Sequence, residues 1–291
     1  MATTIDSVAV VAGNRLQHSA LKLADQAVRD ALAAAAIEPD DVDLLVNAGI
    51  FHDRMLGEPA LAALIQEDAG VNPEDPHGEG HGTCSFDVAN GSAGVLSALQ
   101  IAAGFLGAGT IRRAVIVAGD ADPGHGMAPD FPYDPVGAAL VCGWDPGGGG
   151  LAGFRWMTVA DAPARRRAVV RFEHGRNRLL VREDDAFAAE AAACAGTVAV
   201  ELLDEHGLRR DDVAAVAAAP FDAAFIDELV PHIGVAPDRF VRPRPTPRFH
   251  TAGLIAAMAD VTSRAPAPGR EWVLVVAAGA GISAGAALLF R

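Results

Sequence analysis

The sequence predicts an α/β fold made of two similar halves, each built of βαβ-type units around one buried central helix. Three observations carry this expectation. Short apolar runs alternate with stretches of helical periodicity along most of the chain. The order of these elements repeats on either side of the "DPGGGG" break at 145–150. Each half also contains one Ala/Gly-rich helix that is apolar almost all round, which only a protein interior accommodates.

The elements follow in order. "SVAVVAG" (7–13) reads as a strand, and "ALKLADQAVRDALAAAA" (20–36) has the apolar spacing of a helix. "VDLLVNAGI" (42–50) is a strand, and "EPALAALIQEDAG" (58–70) is a helix with proline in its first turn. A Gly/His/Pro loop leads to the strand "SFDVA" and then to the buried helix "SAGVLSALQIAAGFLGAG". "RAVIVAGDAD" (113–122) and "GAALVCGW" (137–144) complete the first half as strands. In the second half, 184–208 is a long helix, 213–220 a strand and 223–234 a helix. A short strand near "RFVRP" precedes the helix "HTAGLIAAMADVTS" (250–263), and "EWVLVVAAGAG" and "SAGAALLFR" close the chain as strands.

Specific segments echo one another. "DDVDLLVNAG" parallels "DDVAAVAAAP", and "RAVIVAGDAD…GAALVC" parallels "EWVLVVAAGAG…AGAALLF". Between them, one buried helix starts at Ser92 and the other at His250. Such a repeat predicts halves at 1–146 and 151–291 related by a pseudo-two-fold axis. The axis brings equivalent helix starts together, which makes Ser92 and His250 neighbours.

Composition narrows the function. The 291 residues, 51% hydrophobic with 5% aromatics, suffice for a large core, in one big domain or two intimately packed ones, packed through close backbone approach. A net charge of −14 disfavours nucleic acid as a partner. No uninterrupted apolar run reaches membrane-spanning length, and the N-terminus reads as a strand and not as a signal peptide. Cys84, Cys142 and Cys194, odd in number and widely spaced, argue against a disulfide framework and for a reducing cytoplasm.

The repeated order with "FDVANGSAG" (86–94) at its centre resembles the thiolase superfamily, and most closely its ketoacyl synthase III branch. There, an FDV-like strand leads into a cysteine at the start of a buried helix, followed by Ala-Gly. Ser92 stands in that place, followed by Ala93 and Gly94. "AAGAGISAGAALLF" resembles the branch's Gly-rich loop and last strand, and "DELVPHIGVAPDRFV" resembles the helix and strand before its third catalytic residue. The resemblance implies a thiolase-like fold in αβαβα layers. It also implies a homodimer with strands paired across the interface.

Three departures matter. The family triad is Cys, His and Asn. Phe221, in "AAPFDAAF", occupies the place of the His, and His250, in "PRFHTAG", occupies that of the Asn. The family's N-terminal segment, which helps bind coenzyme A, has no counterpart in the short "NRLQHS" connection. Phe221 donates no hydrogen bond to an enolate, so decarboxylative carbon–carbon condensation is not expected. Acyl transfer needs only a nucleophile, a base and an oxyanion hole.

Ser92 is the candidate nucleophile and His250 its base. The helix N-terminus favours a developing anion there. The backbone N–H groups of Ser92 and of Ala280, in "GAGIS", are the expected oxyanion donors, and an alanine at a positive φ would be costly in that loop. Some ketosynthase III-like acyltransferases of antibiotic pathways resemble this arrangement, with Ser for Cys and His for Asn backed by an Asp. Asp222, next to Phe221, is the candidate third member, with the more distant Asp260 further along the same helix as His250. Equally, serine is a favoured helix N-cap and a small residue that a retired site can retain for packing.

Other features carry less information. His77 and His81 flank Glu79 in "HGEGHG", but the surrounding glycines indicate a loop, and no metal site is expected. "GGGG" (147–150) lacks the residues of a phosphate loop and reads as a crossover between halves; no cofactor is expected. His125 and Met127, in a turn-rich stretch, line a pocket or simply an ordered surface loop. "PARRR" (163–167) and "RPRPTPR" (242–248) are basic islands. Arg244 and Arg248 of the second, together with Phe221, are candidate substrate contacts, since arginine suits the phosphates of coenzyme A or phosphopantetheine.

The leading expectation is an acyltransferase- or thioesterase-like enzyme of fatty-acid- or polyketide-related metabolism. It acts on an acyl-CoA or acyl carrier protein thioester through a serine acyl-enzyme. The rival expectation is a non-catalytic subunit that stabilises an active ketosynthase-like homologue in a heterodimer.

Overall fold

A computed structural model describes residues 2–14, 16–55, 58–72, 82–124, 126–128, 130–147, 149–159, 165–243, 248–264 and 271–291. His77, Glu79, His81, His125 and Arg244 lie outside the described residues. The strands are β1 (Ala2–Ala12), β2 (Leu44–Asn47), β3 (Cys84–Asp87), β4 (Ala114–Asp120), β5 (Val136–Asp145), β6 (Gly150–Thr158), β7 (Arg166–Glu173), β8 (Arg176–Glu183), β9 (Val213–Ala219), β10 (Trp272–Gly279) and β11 (Ser283–Phe290). The helices are α1 (Ala20–Ala35), α2 (Leu61–Ala69), α3 (Gly94–Gly107), α4 (Phe187–Glu205), α5 (Ala223–Ile233) and α6 (Gly253–Thr262).

The main sheet runs β3-β2-β4-β5-β1-β6-β11-β10-β9. β1 and β6 meet at the single register pair Thr3–Leu151, so the sheet divides into two leaves. In the first leaf β5 is antiparallel to both its neighbours, while β2, β3 and β4 run parallel. In the second, β11 is antiparallel to both neighbours and β9 and β10 run parallel. Phe240 bridges Val216 in parallel beyond β9, in the position that β3 holds in the first leaf. The two leaves thus have one topology, with β6, β9, β10 and β11 answering to β1, β2, β4 and β5.

Burial explains why the strands read as continuous apolar runs. Leu45, Val115, Val117, Ala139 and Val141 face α1 and α2 in one core. Leu44, Val46, Ile116 and Leu140, on the opposite face, pack in the main core with α3, α6, α4 and the second leaf. Strands covered on both sides lose the usual alternation. The layers are α1/α2, first leaf, α3/α6, second leaf, α4/α5. Glycine permits the closest approach in this stack: a Cβ on Gly137 of β5 would fall 2.1 Å from the Leu23 backbone of α1.

Three strands go beyond the elements expected from the sequence. β6 follows directly on the glycine-rich break, and β7 and β8 form a separate two-stranded hairpin. Its turn is His174-Gly175, both at positive φ (51° and 78°), the conformation of a tight two-residue hairpin turn. The inner face of this hairpin, through Val170, Leu179 and Val181, packs with Phe51, Phe131 and Tyr133 in a third small core.

Candidate active site

Ser92 lies in a single 3₁₀ turn, Gly91–Ala93, that runs into α3. Gly91 at φ 53° makes the bend from β3, and Ser92 is 3% exposed. β3 is held in place by Asp87, of the "FDV" run. Its carboxylate accepts from the Leu61 and Ala62 N–H groups at 2.9 and 2.8 Å and so caps α2, which has no side-chain cap of its own. The Ser92 turn packs against α6 and against the end of β10. Its hydroxyl donates to the Ala278 carbonyl of β10 at 2.5 Å.

His250 lies three residues before α6, buried at 5% exposure. Its ring packs on Tyr133 and Phe51, with centroids 4.9 and 5.1 Å away. The Arg166 Nη1 lies 3.2 Å from its Nε2. A guanidinium only donates, so in this contact Nε2 is the acceptor, which assigns the N–H to Nδ1. That Nδ1 has no hydrogen-bond partner among the described residues and faces Asp120 Oδ1 at 3.8 Å.

Asp120, the last residue of β4, is wholly buried. It accepts from Thr251 Oγ1 at 2.7 Å and from the backbone N–H groups of His250 and Ala252 at 3.1 and 3.2 Å. These bonds fix the segment entering α6 and aim the imidazole. The carboxylate that the structure sets against His250 Nδ1 is Asp120. Asp222 accepts from the Phe225 N–H at 2.8 Å and caps α5. Burial raises its pKa, against the pull of that backbone bond and of the nearby Arg166.

Arg166, at the start of β7, is the residue that ties the hairpin to this site. It donates to Glu183 at 3.0 Å, to His250 and to the Tyr133 hydroxyl. Burial pushes the Tyr133 hydroxyl up to about 12, although Arg166 pulls the other way, so it stays protonated.

The other sequence candidates are placed as follows. Phe221, 7% exposed, packs against the first turn of α6: a Cβ on Gly253 would meet the Phe221 Cβ at 2.9 Å. Ala280 is exposed in the β10–β11 turn, where Gly281 and Ile282 (φ 72° and 34°), not Ala280, take positive φ. The preceding Gly279 abuts Asn90 in the loop before the Ser92 turn. Arg248 is exposed, with its backbone N–H bonded to Asp134 at 2.7 Å. Met127 packs beside the Phe51–Phe131–Leu179 cluster. Sequence reading missed Asp120, Arg166, Tyr133 and Phe51. Of these, Asp120 left a trace as a charge ending an otherwise apolar strand, and Arg166 lay within the basic island 163–167 without being singled out.

No family model matches the chain. The beta-ketoacyl-[acyl-carrier-protein] synthase III of Methylococcus capsulatus is 35% identical over 100 residues, 34% of this chain and 28% of that protein. The mycobacterial beta-ketoacyl-[acyl-carrier-protein] synthase III of Mycobacterium avium is 23% identical over 290 residues, 91% of this chain and 79% of that protein. The priming beta-ketosynthase of the R1128 polyketide pathway superposes with a TM-score of 0.82 at 19% identity, covering 99% of this chain and 96% of its own. The chain has the thiolase-like fold of this structure and is similar in sequence to ketoacyl synthase III enzymes. Within that fold, the shared topology of the two leaves is what puts the Ser92 turn beside α6. Among the described residues no helix is long and apolar enough to cross a membrane.

Proposed function

We propose that this ketoacyl synthase III-like chain is an acyl-thioester enzyme that transfers its acyl group through Ser92 and does not condense carbon units. The observation that carries this reading is a buried serine in a turn that packs against α6, with a buried His250–Asp120 unit in the segment just before that helix. Phe221 supplies no donor to an enolate, which favours acyl transfer over condensation.

In this reading each half of the chain, 1–146 and 151–291, contributes one side of the site. The Ser92 oxygen attacks the thioester carbonyl as its proton passes to His250 Nε2, which Arg166 has released. The imidazolium is then stabilised by Asp120 across Nδ1–H and returns the proton to the leaving thiol. The backbone N–H groups of Ser92 and Ala280 receive the oxyanion. Arg248, together with Arg244 outside the described residues, and Phe221 contact the substrate. An alcohol, amine or water then attacks the Ser92 ester. The mycobacterial relative's name supports a carrier-borne thioester as the substrate form. The test is intact-mass spectrometry with acyl-CoA and acyl carrier protein thioesters. Wild type gains an acyl adduct that Ser92→Ala lacks, and equal labelling of both rejects the reading.

A second reading is favoured by one observation. Ser92 donates to Ala278 and His250 is held by Arg166, so neither hydrogen bond links the two residues. That arrangement suits a non-catalytic subunit that stabilises an active homologue in a heterodimer. A tight heterodimer on co-expression with a ketosynthase-like homologue, without any Ser92 adduct, would establish it. A homodimer that turns over thioesters unaided would exclude it.

A further inference from the structure

The β7–β8 hairpin holds an unusual concentration of arginine for a chain with 37 acidic and 23 basic residues. Those reaching back to the body of the protein are paired: Arg165 with Asp184 and Glu190, Arg166 with Glu183, Arg176 with Asp122, and Arg178 with Asp130 and Glu173. Arg167, Arg171 and Arg182 are different. All three are exposed, all three lie on the outer face around Val169 and Leu180, and none has an ion pair or hydrogen bond among the described residues.

The register makes this costly. Arg167 lies directly opposite Arg182 across the ladder, and like charges in that position destabilise a strand pair. Glu173 and Asp130 pair with Arg178, which faces Arg171 across the ladder, but among the described residues no acid pairs with Arg167, Arg171 or Arg182. The counter-charge is therefore sought outside the chain. The spacing says what kind. Arg167 and Arg171, four residues apart on one strand, stand about 13 Å from each other, too far to converge on one phosphate. The dimple between them has a volume of about 50 Å³, room for one or two waters and not for a small ligand. A broad, shallow cationic face with two aliphatic side chains at its centre fits an acidic protein surface. The residue preceding Arg167 is Arg166, which contacts His250 on the other side of the same strand.

We propose that the outer face of the β7–β8 hairpin, with Arg167, Arg171 and Arg182 set around Val169 and Leu180, docks the acidic surface of a carrier protein that presents the acyl thioester. The proposal rests on the reading that this chain takes an acyl group from a thioester, and it adds where the donor protein sits.

The test measures binding and acylation separately. Fluorescently labelled acyl carrier protein is titrated by anisotropy onto wild type and onto the Arg167→Glu/Arg171→Glu/Arg182→Glu triple variant, at 50 and 300 mM salt. Wild type should bind and weaken with salt, and the variant should bind at least about tenfold more weakly at low salt. Arg209→Glu, a charge reversal at an exposed site away from the hairpin, should bind as wild type does. Acylation of Ser92 by acyl-CoA should be equal in wild type and the triple variant. Absence of carrier binding by wild type, or equal binding by the triple variant, overturns the proposal. So does a change of oligomeric state in the variant by light scattering, which would make the face a self-interface. Loss of coenzyme A binding in the variant overturns it too, by making the face a phosphate site. If carrier binding depends on the three arginines but Ser92 is never acylated, the docking surface stands and the acyl-enzyme reading fails. If acyl-CoA acylates Ser92 but carrier binding ignores the three arginines, the acyl-enzyme reading stands and the docking surface fails.

Discussion

Arg166 donates to His250 across 3.2 Å, from the first residue of a hairpin to the residue group that opens α6. The bond joins an element outside the main sheet to a histidine at its centre. It also occupies the one lone pair through which His250 acts as a base. Arg166→Ala should therefore loosen the hairpin and leave the Tyr133 hydroxyl without its donor. The expected loss is about 1–3 kcal/mol in urea unfolding. Tyr133→Phe should cost less. The double variant should cost less than the sum of the two, because they share one network. Strict additivity would mean that the network does not hold the hairpin.

Asp120→Asn addresses the other side of the imidazole. The wild-type carboxylate accepts three hydrogen bonds, from Thr251 Oγ1 and two backbone N–H groups. An amide oxygen in the Oδ2 place keeps the two backbone bonds, but its NH2 then stands in the Oδ1 place, where the Thr251 hydroxyl must turn to accept and His250 Nδ1–H loses the carboxylate charge. The variant should lose about 2–3 kcal/mol of stability and its Ser92 adduct as well. Asp222→Asn should retain the adduct while weakening the α5 cap. Intact-mass spectrometry and denaturation on the same samples separate the two effects, and an adduct-competent Asp120→Asn would remove Asp120 from the catalytic unit.

Ser92→Ala removes one buried hydrogen bond, to the Ala278 carbonyl. Its structural cost should be small, about 1 kcal/mol, while its effect on acyl labelling should be complete. A large stability loss with unchanged labelling would make Ser92 a packing residue only.

Asp25 on α1 gives a pH dependence remote from the site. It is 3% exposed, with Oδ1 unpaired among the described residues, and burial together with the neighbouring Asp68 raises its pKa to about 7. The folded state thus holds this proton more tightly than the unfolded chain does. Its contribution should favour folding below the unfolded value of 3.8 and be lost progressively as pH rises to about 7. Asp25→Asn imitates the protonated form, with the amide donating to Asp68. It should raise Tm at pH 8 and flatten the Tm profile between about pH 4 and 7. An unchanged profile would show that Asp25 titrates normally in the folded protein.

The repeat is legible in the sequence because both leaves bury both faces of their strands, and such strands announce themselves as apolar runs. Ser92 and His250 can be paired because they start equivalent helices. The hairpin is not legible in the same way. Its alternation of arginine with Ala, Val and Leu reads as an island of charge, although the His174-Gly175 turn between two alternating runs is available as a signal. Asp120 escapes for a different reason: the groups it holds, His250, Thr251 and Ala252, lie 130 to 132 residues further along the chain. Ala280 raises a concern over positive φ that the turn resolves by placing Gly281 and Ile282 there.

Arg166 and Arg167 are consecutive and point to opposite faces of one strand, one toward a buried imidazole and the other toward solvent. Side chains on a strand repeat every two residues. Loss or gain of one residue in β7 would exchange the two sets, sending an unpaired charge inward and the anchor of His250 outward. A change of two residues would keep them. Length variation in this hairpin among related chains should therefore be counted in pairs, an arithmetic that the packing of Val170, Leu179 and Val181 imposes at the same time.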